Sequence, residues 1–95
     1  MDWSQIPESE NLVEMAVVVG EAEFVLEFTE AARGWFRMSV FEDLRATKVE
    51  ARYFARAVEH DDDGIRALAN GPNPEAAATL CIREAGTSLR RARGR

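Results

Sequence analysis

The sequence has little of what catalytic and metal sites are usually built from. Its 95 residues include one histidine, His60, and one cysteine, Cys81. A single cysteine excludes an intramolecular disulfide, and a structural zinc site would need more His or Cys ligands than the chain has. The glycines stand singly, so no glycine-rich loop is available to hold a phosphate group. We therefore expect no catalytic residue, no metal site and no cofactor, and hence no enzyme.

Long apolar runs and targeting signals are also lacking. The longest strongly apolar run, residues 15–19, is far too short to span a bilayer. The first four residues show neither the basic region nor the apolar region of a secretory signal. Together with the lone cysteine, this favours a soluble protein of the reducing cytoplasm without a membrane partner. The composition, 46% hydrophobic and 31% charged, is typical of a single globular domain.

Basic residues are absent from the first third of the chain. Residues 1–32 contain eight acids and no Lys or Arg, a net charge of −8, whereas residues 64–95 contain six arginines and two glutamates, a net charge of +4. Such polarity can be neutralised within one molecule, between copies of the chain, or by a partner. An equally good interpretation is that these charges are simply solvated and have no partner, because isolated surface charges contribute little to stability.

Alternating apolar residues predict a three-stranded antiparallel β-meander over residues 12–41. In the second strand, large apolar residues from Phe24 to Phe28 occupy every second position, which is the period of a strand with one buried face. The first strand alternates in the same way up to Val19. Gly20 then occupies the first position of a predicted two-residue type II′ turn, which sets both apolar series on one face.

The third predicted strand continues the same buried face. Pairing Thr29 with Trp35 sets Phe36 beside Phe28, and a register displaced by two residues preserves this facing. Trp35 therefore projects to the side opposite Phe24.

The opposite face of this sheet carries apolar residues on either side of a charged row. The charged row consists of Glu14, Glu27 and Arg37. The rows on either side of it expose too much apolar surface for a face that contacts only water. We therefore predict a protein–protein interface formed by Val18, Val25, Trp35, Arg37 and Phe41.

The hydrophobic period changes after this sheet. Thr47 and Glu50 match a capping box, and residues 48–60 have the amphipathic pattern of a helix lying on a sheet. Their richness in alanine, arginine and glutamate favours the helix. The same residues also alternate with period two, so a fourth strand is the alternative.

Two more helices are predicted in the remaining chain. The aspartates at 61–63 are good N-caps for a short helix over residues 65–69, which Asn70 and Gly71 would end. Asn73 and Pro74 then begin the last helix. Its apolar stripe of small residues suits close packing on another helix, and Gly86 within it indicates either a close approach or an early end.

One short segment, residues 59–63, concentrates metal-ligand side chains. It consists of Glu59, His60 and three aspartates, but it lacks the spacing of a calcium-binding loop. Helix capping by the aspartates explains the same residues. Cys81 has no histidine placed near it and is interpreted as a small buried apolar side chain.

These patterns predict an α+β fold with two to three helices packed on one face of the meander. The single domain would comprise an N-terminal arm (1–11) anchored by Trp3 and Ile6, the meander (12–41), a helical part (47–92) and the end of a basic tail (93–95). We expect a small non-catalytic interaction module. It would be either a homodimeric accessory or regulatory protein, or an acidic inhibitor-like binder of a basic partner.

Binding of single-stranded nucleic acid is the alternative function. Trp35 and Phe41 beside Arg33 and Arg37 supply the rings and cations used in stacking on single strands. The order of strands followed by a helix is also similar to that of the Pur-type and Whirly-type single-strand binders, a likeness of topology without a motif. Glutamates on the same face would repel phosphates, which favours the protein-binding hypothesis.

Overall fold

The computed structural model describes residues 15–60 and 62–93. Four strands form one antiparallel sheet in chain order, and one helix packs on a single face of it. The elements are β1 (Ala16–Glu27), β2 (Arg33–Asp43), a 3-10 turn (Val49–Ala51), β3 (Tyr53–Glu59), β4 (Asp62–Gly71) and α1 (Pro74–Arg93). The predicted α+β class is confirmed, but the three strands with two to three helices are wrong. The predicted arm, Glu14 and the last two tail residues lie outside the described residues.

The predicted turn at Gly20 is wrong, because β1 runs through it as one strand of 12 residues. Val18 lies opposite Phe41, but Gly20 lies opposite Val40, so a bulge leaves Val19 without a counterpart on β2. The extra residue shifts the alternation of side chains by one position. Val17 before the bulge and the even-numbered apolar residues after it, such as Phe24, therefore point to the same face. A bulge therefore satisfies the apolar pattern that we attributed to a turn.

The facing of β1 and β2 is as predicted, although their register differs. Phe24 lies opposite Phe36, with ring centroids 5.3 Å apart, and Val25 lies opposite Trp35. The predicted pairing of Phe36 with Phe28 is four residues away, a displacement that leaves each side chain on its face. The observed register is closed by a loop in which the Phe28 N–H donates to the carbonyl of Ala32 at 2.9 Å.

The predicted helix over residues 48–60 is wrong, and the alternative of a fourth strand is correct. The capping box gives only the 3-10 turn, in which no side chain caps the N-terminus. Beyond it, Ala55 and Ala57 point to the core, while Phe54 and Arg56 point away. Sheet pairing on both sides outweighs the weak helix preference of alanine, because propensity is only a small term for each residue.

The predicted short helix after residue 63 is also a strand. β4 pairs with β3 along its length, so Asn70 and Gly71 end a strand and do not end a helix. Gly71 is needed here for space, because a Cβ would lie 2.7 Å from the backbone nitrogen of Ala77 in α1. The short connection brings the helix back directly onto β4.

The last helix begins where the sequence predicted. The Ala76 N–H donates to the Asn73 side-chain oxygen at 2.8 Å, which caps α1. Gly86 marks a close approach, since a Cβ there would lie 3.1 Å from Cζ of Phe28. The guanidinium of Arg90 covers the same ring at 4.4 Å.

The core lies between α1 and the sheet, mainly over β2, β3 and β4. Phe24 and Leu26 of β1 pack against its margin. Small side chains dominate it, so the helix approaches the sheet closely. Its buried members are Phe36, Met38, Val40, Ala55, Ala57, Ala67, Ala69, Ala77, Cys81, Ala85 and Leu89.

Candidate functional site

The five predicted interface residues all lie on the face of the sheet that points away from α1. We call this surface the open face. Val18 lies opposite Phe41 near one end, Val25 lies opposite Trp35 near the other, and Arg37 lies between these two pairs on β2. By strand register, the open face includes Ala16, Val18, Glu21, Glu23, Val25, Glu27, Arg33, Trp35, Arg37, Ser39, Phe41, Asp43, Phe54, Arg56, Val58, Leu68 and Asn70.

Large apolar side chains are exposed at both ends of the open face. The exposed fractions are 52% for Val18, 48% for Val25 and 45% for Trp35. Sequence reasoning missed Arg56 and three apolar members of this surface, Phe54, Val58 and Leu68, because it placed all four in helices. The period-two alternation of residues 53–58 is the signal that identifies the three of them that lie in β3.

Trp35 is stacked on His60 at one end. The ring centroids are 3.6 Å apart, and the ring planes are inclined by 7°. The backbone N–H of His60 also donates to the backbone carbonyl of Trp35 at 2.7 Å. The His60 Nε2 atom lies 3.9 Å from Oε1 of Glu23. These contacts orient the indole, so Trp35 presents a pre-oriented apolar surface to any partner.

Phe41 and Phe54 form a second aromatic pair at the other end. Their centroids are 4.8 Å apart, and the guanidinium of Arg56 lies 5.2 Å from the centre of the Phe41 ring. The sheet therefore carries a stacked ring pair near each end of the open face.

A hollow of about 730 Å³ lies between these two aromatic pairs. Carboxylates from β1 line one side of it, and guanidinium groups from β2 and β3 line the other. The residues with side chains on the open face that border the hollow are Glu21, Glu23, Arg37, Ser39, Arg56 and Val58.

The charged row differs in detail from the prediction. Arg37 lies opposite Glu23, while Glu27 lies opposite Arg33, with 3.5 Å between Arg33 Nε and Glu27 Oε2. The predicted row of Glu14, Glu27 and Arg37 is therefore wrong in its partners, because the register is displaced. Its character, acids beside arginine between apolar rows, is retained.

The suspected ligand cluster at residues 59–63 is divided between the two faces. Glu59 lies on the helix side, 3.7 Å from the Arg66 guanidinium, whereas His60 lies on Trp35. Residue 61 is outside the described chain. Among the described residues, no group of three or more His, Cys, Asp or Glu side chains could hold a metal ion.

Cys81 is buried, as predicted, and its thiol lies 3.9 Å from the carbonyl of Ala67. Burial, with a smaller contribution from the charge of Glu84, raises the pKa of the Cys81 thiol to about 11. The reactive thiolate is therefore suppressed at neutral pH, which does not suit a nucleophile.

Across the described part of the chain, no helix is both long and apolar enough to cross a membrane. The comparisons with known proteins found no counterpart. No family model, no curated protein and no solved structure matches this chain.

Proposed function

We propose that the protein is a small non-enzymatic interaction module that binds other protein chains through the open face. The observation that carries this proposal is the exposure of large apolar side chains there. Of the eight most exposed large apolar residues in the described chain, four lie on this face: Val18, Val25, Trp35 and Leu68. Exposed apolar patches often mark protein interaction sites, and here one lies at each end of the face with charged residues between them.

Self-association is the form of binding that we favour, which would make the protein a homodimeric accessory or regulatory factor. The open face carries acids and arginines together, whereas an inhibitor of a basic partner needs mainly acids. The acidic inhibitor remains the alternative within the same class. It requires binding that weakens steeply with salt, because it depends on β1 carboxylates such as Glu21 and Glu23.

Single-stranded nucleic acid is the second candidate partner. It is favoured by the proximity of Arg37 and Arg56 to the hollow and by the aromatic pairs beside them. It is opposed by Glu21 and Glu23 at the same hollow. This candidate requires that Arg37→Gln weaken the binding of a labelled single-stranded oligonucleotide and that Glu23→Gln strengthen it, as read by fluorescence anisotropy.

Light scattering of the purified chain tests the favoured function. We expect a concentration-dependent dimer that Trp35→Ser shifts to monomer, because the indole supplies much apolar area at one end of the face. Val49→Ser is the matched control, since Val49 is 71% exposed in the 3-10 turn. It should leave the dimer unchanged.

Two results would contradict self-association through this face. One is a wild-type chain that stays monomeric at high concentration. The other is a dimer that responds equally to Trp35→Ser and Val49→Ser, since the open face would then have no special role.

A further inference from the structure

We infer that the open face binds a second copy of this chain. The two copies pack face to face, so that β1 of each lies over β3 of the partner subunit. In this arrangement Glu21 lies opposite Arg56 of the partner subunit. The inference rests on the proposed function and adds to it a partner, a symmetry and a specific ion pair.

The charges on the open face are divided by strand. Its acids lie mainly on the edge strand β1, at Glu21, Glu23 and Glu27, and its arginines lie on β2 and β3. Asp43, at the end of β2, is an exception, and its Oδ1 accepts a hydrogen bond from the Arg45 N–H at 2.9 Å. A surface with an acidic strip beside a basic strip is complementary to its own rotated copy, provided that the rotation brings unlike strips together.

Only some two-fold axes bring unlike strips together. An axis across the strands would stack β1 on β1 and bring Glu21 close to like charges. An axis between β2 and β3 would place Glu21 over Leu68 of the partner subunit, so that Glu21 would not face an arginine. An axis between β1 and β2 would overlap only two strands of each copy. Each of these arrangements is less favourable than one whose axis runs close to β2. An axis along β2 also sets one carboxylate, Glu23, over an apolar residue, Val58 of the partner subunit, but Arg37 lies opposite Glu23 in the same sheet and offsets this cost.

An axis along β2 matches the rows of the open face. It sets Val18 opposite Phe54 of the partner subunit and Glu21 opposite Arg56 of the partner subunit. Trp35 of each copy then lies near Trp35 of the partner subunit, and Phe41 lies near Phe41 of the partner subunit. Apolar surface therefore meets apolar surface at both ends of the face. Arg37 also lies near its mate, and the Glu23 opposite it in the same sheet offsets that repulsion.

Pairing through the β1 edge of the sheet is less favourable than this face-to-face packing. β1 is an edge strand, but joining two β1 edges in antiparallel register would bring the glutamates of the two copies together. Like charges in facing positions destabilise such a pair. The acidic edge therefore disfavours pairing of two copies through β1.

The expected affinity follows from the size of the contact. Three strands from each copy contribute about a dozen side chains, fewer than the roughly 20–30 residues per partner of a standard interface. We therefore expect a reversible dimer with a Kd on the order of micromolar. High salt should weaken it, because two symmetric ion pairs contribute to it.

Charge reversal followed by mixing tests the arrangement. Glu21→Arg alone would set two arginines against each other at both symmetric contacts, and Arg56→Glu alone would set two glutamates against each other there. Each single variant should therefore dimerise at least about tenfold more weakly than wild type. In an equimolar mixture, both ion pairs are restored, one of them with reversed polarity, and dimerisation should return to near the wild-type level. Analytical ultracentrifugation measures all four samples.

Matched controls separate this effect from general charge effects. Glu50→Arg and Lys48→Glu make the same charge changes in an exposed segment away from the open face, and both should dimerise like wild type. Circular dichroism checks that every variant is folded.

The outcomes distinguish this inference from the proposed function. Recovery in the mixture supports the arrangement, because the restored contact can form only between two chains. Single variants that dimerise normally, or a mixture that remains monomeric while wild type is dimeric, overturn it. In that case a dimer lost on Trp35→Ser still supports the open face as an interface. A wild-type chain that is monomeric throughout overturns the inference and the preference for self-association together.

Discussion

The two faces of the sheet differ in the size of the apolar side chains that β3 and β4 place on them. On the covered face, Ala55 and Ala57 are fully buried, as are Ala77 and Cys81 of the helix. On the open face, β3 and β4 carry the larger Phe54, Val58 and Leu68, and Trp35 of β2 is 45% exposed. Close approach of the helix to β3 and β4 requires small residues there, so the larger apolar side chains of these two strands lie on the open face. The helix therefore covers the face with the small side chains, and the larger side chains left exposed on the other face are the basis of the proposal that the open face binds a second chain.

Two adjacent residues of β2 provide the largest test of this comparison. Phe36 is 1% exposed beneath the helix, whereas Trp35 points the other way. Phe36→Ala should lower the free energy of unfolding by about 3–5 kcal/mol, because it removes a buried ring and leaves a cavity. Trp35→Ala should cost the monomer about 1 kcal/mol or less, as a partly exposed side chain outside the core.

Urea unfolding at low protein concentration measures both values, so that dimerisation does not contribute. Equal losses in the two variants would show that the open face is as important to the monomer as the covered face. The covered face would then not be the main source of the stability of the monomer.

Two glycines provide an intermediate test. A Cβ on Gly71 would meet the backbone of α1, whereas a Cβ on Gly20 would have nothing within 4 Å. Gly71→Ala should therefore destabilise by about 1–3 kcal/mol, since the helix must shift. Gly20 has no positive φ, so Gly20→Ala should stabilise by up to about 1 kcal/mol by restricting the unfolded chain.

Thermal unfolding followed by circular dichroism compares the two glycine variants directly. A Gly71→Ala protein as stable as wild type would mean that the helix is not closely fitted to the end of β4. A strongly destabilised Gly20→Ala protein would mean that the bulge in β1 needs glycine.

The buried thiol provides the smallest test. Burial raises the pKa of Cys81 from an ordinary value of 9.0 to about 11, so the folded state holds a proton that the unfolded chain releases. This contribution to stability is fully present below pH 9 and is lost as the pH rises to 11. The stability of wild type relative to Cys81→Ala should therefore decrease over this range, as measured by urea unfolding at several pH values.

Thiol reactivity gives a second measurement of the same site. A disulfide reagent at pH 8 should react slowly with the native chain and rapidly with the unfolded one. A rapid reaction in the native state would show that the covered face opens easily at Cys81.

The candidate site was partly predictable, because the side of the sheet to which a residue points depends on its neighbours along the strand. Alternation in β1 and β2 was enough to place Trp35 and Phe24 on opposite sides, whatever the register. The contribution of β3 and β4 was missed, because residues 48–60 match both a helix and a strand period. Arg56 and Phe54 therefore entered the open face only through the structure.

The sequence alone determined the side on which residues 22–27 of β1 and 35–41 of β2 point, and the start of the last helix at Asn73 and Pro74. Both depend on neighbours along the chain, namely a period of two and a capping pair. Only the tertiary structure decided the bulge at Val19, the register of Phe24 with Phe36 and the conversion of residues 53–71 to strands. These features depend on hydrogen bonds and packing between segments distant in sequence, which outweigh the small local preferences that sequence reasoning can use.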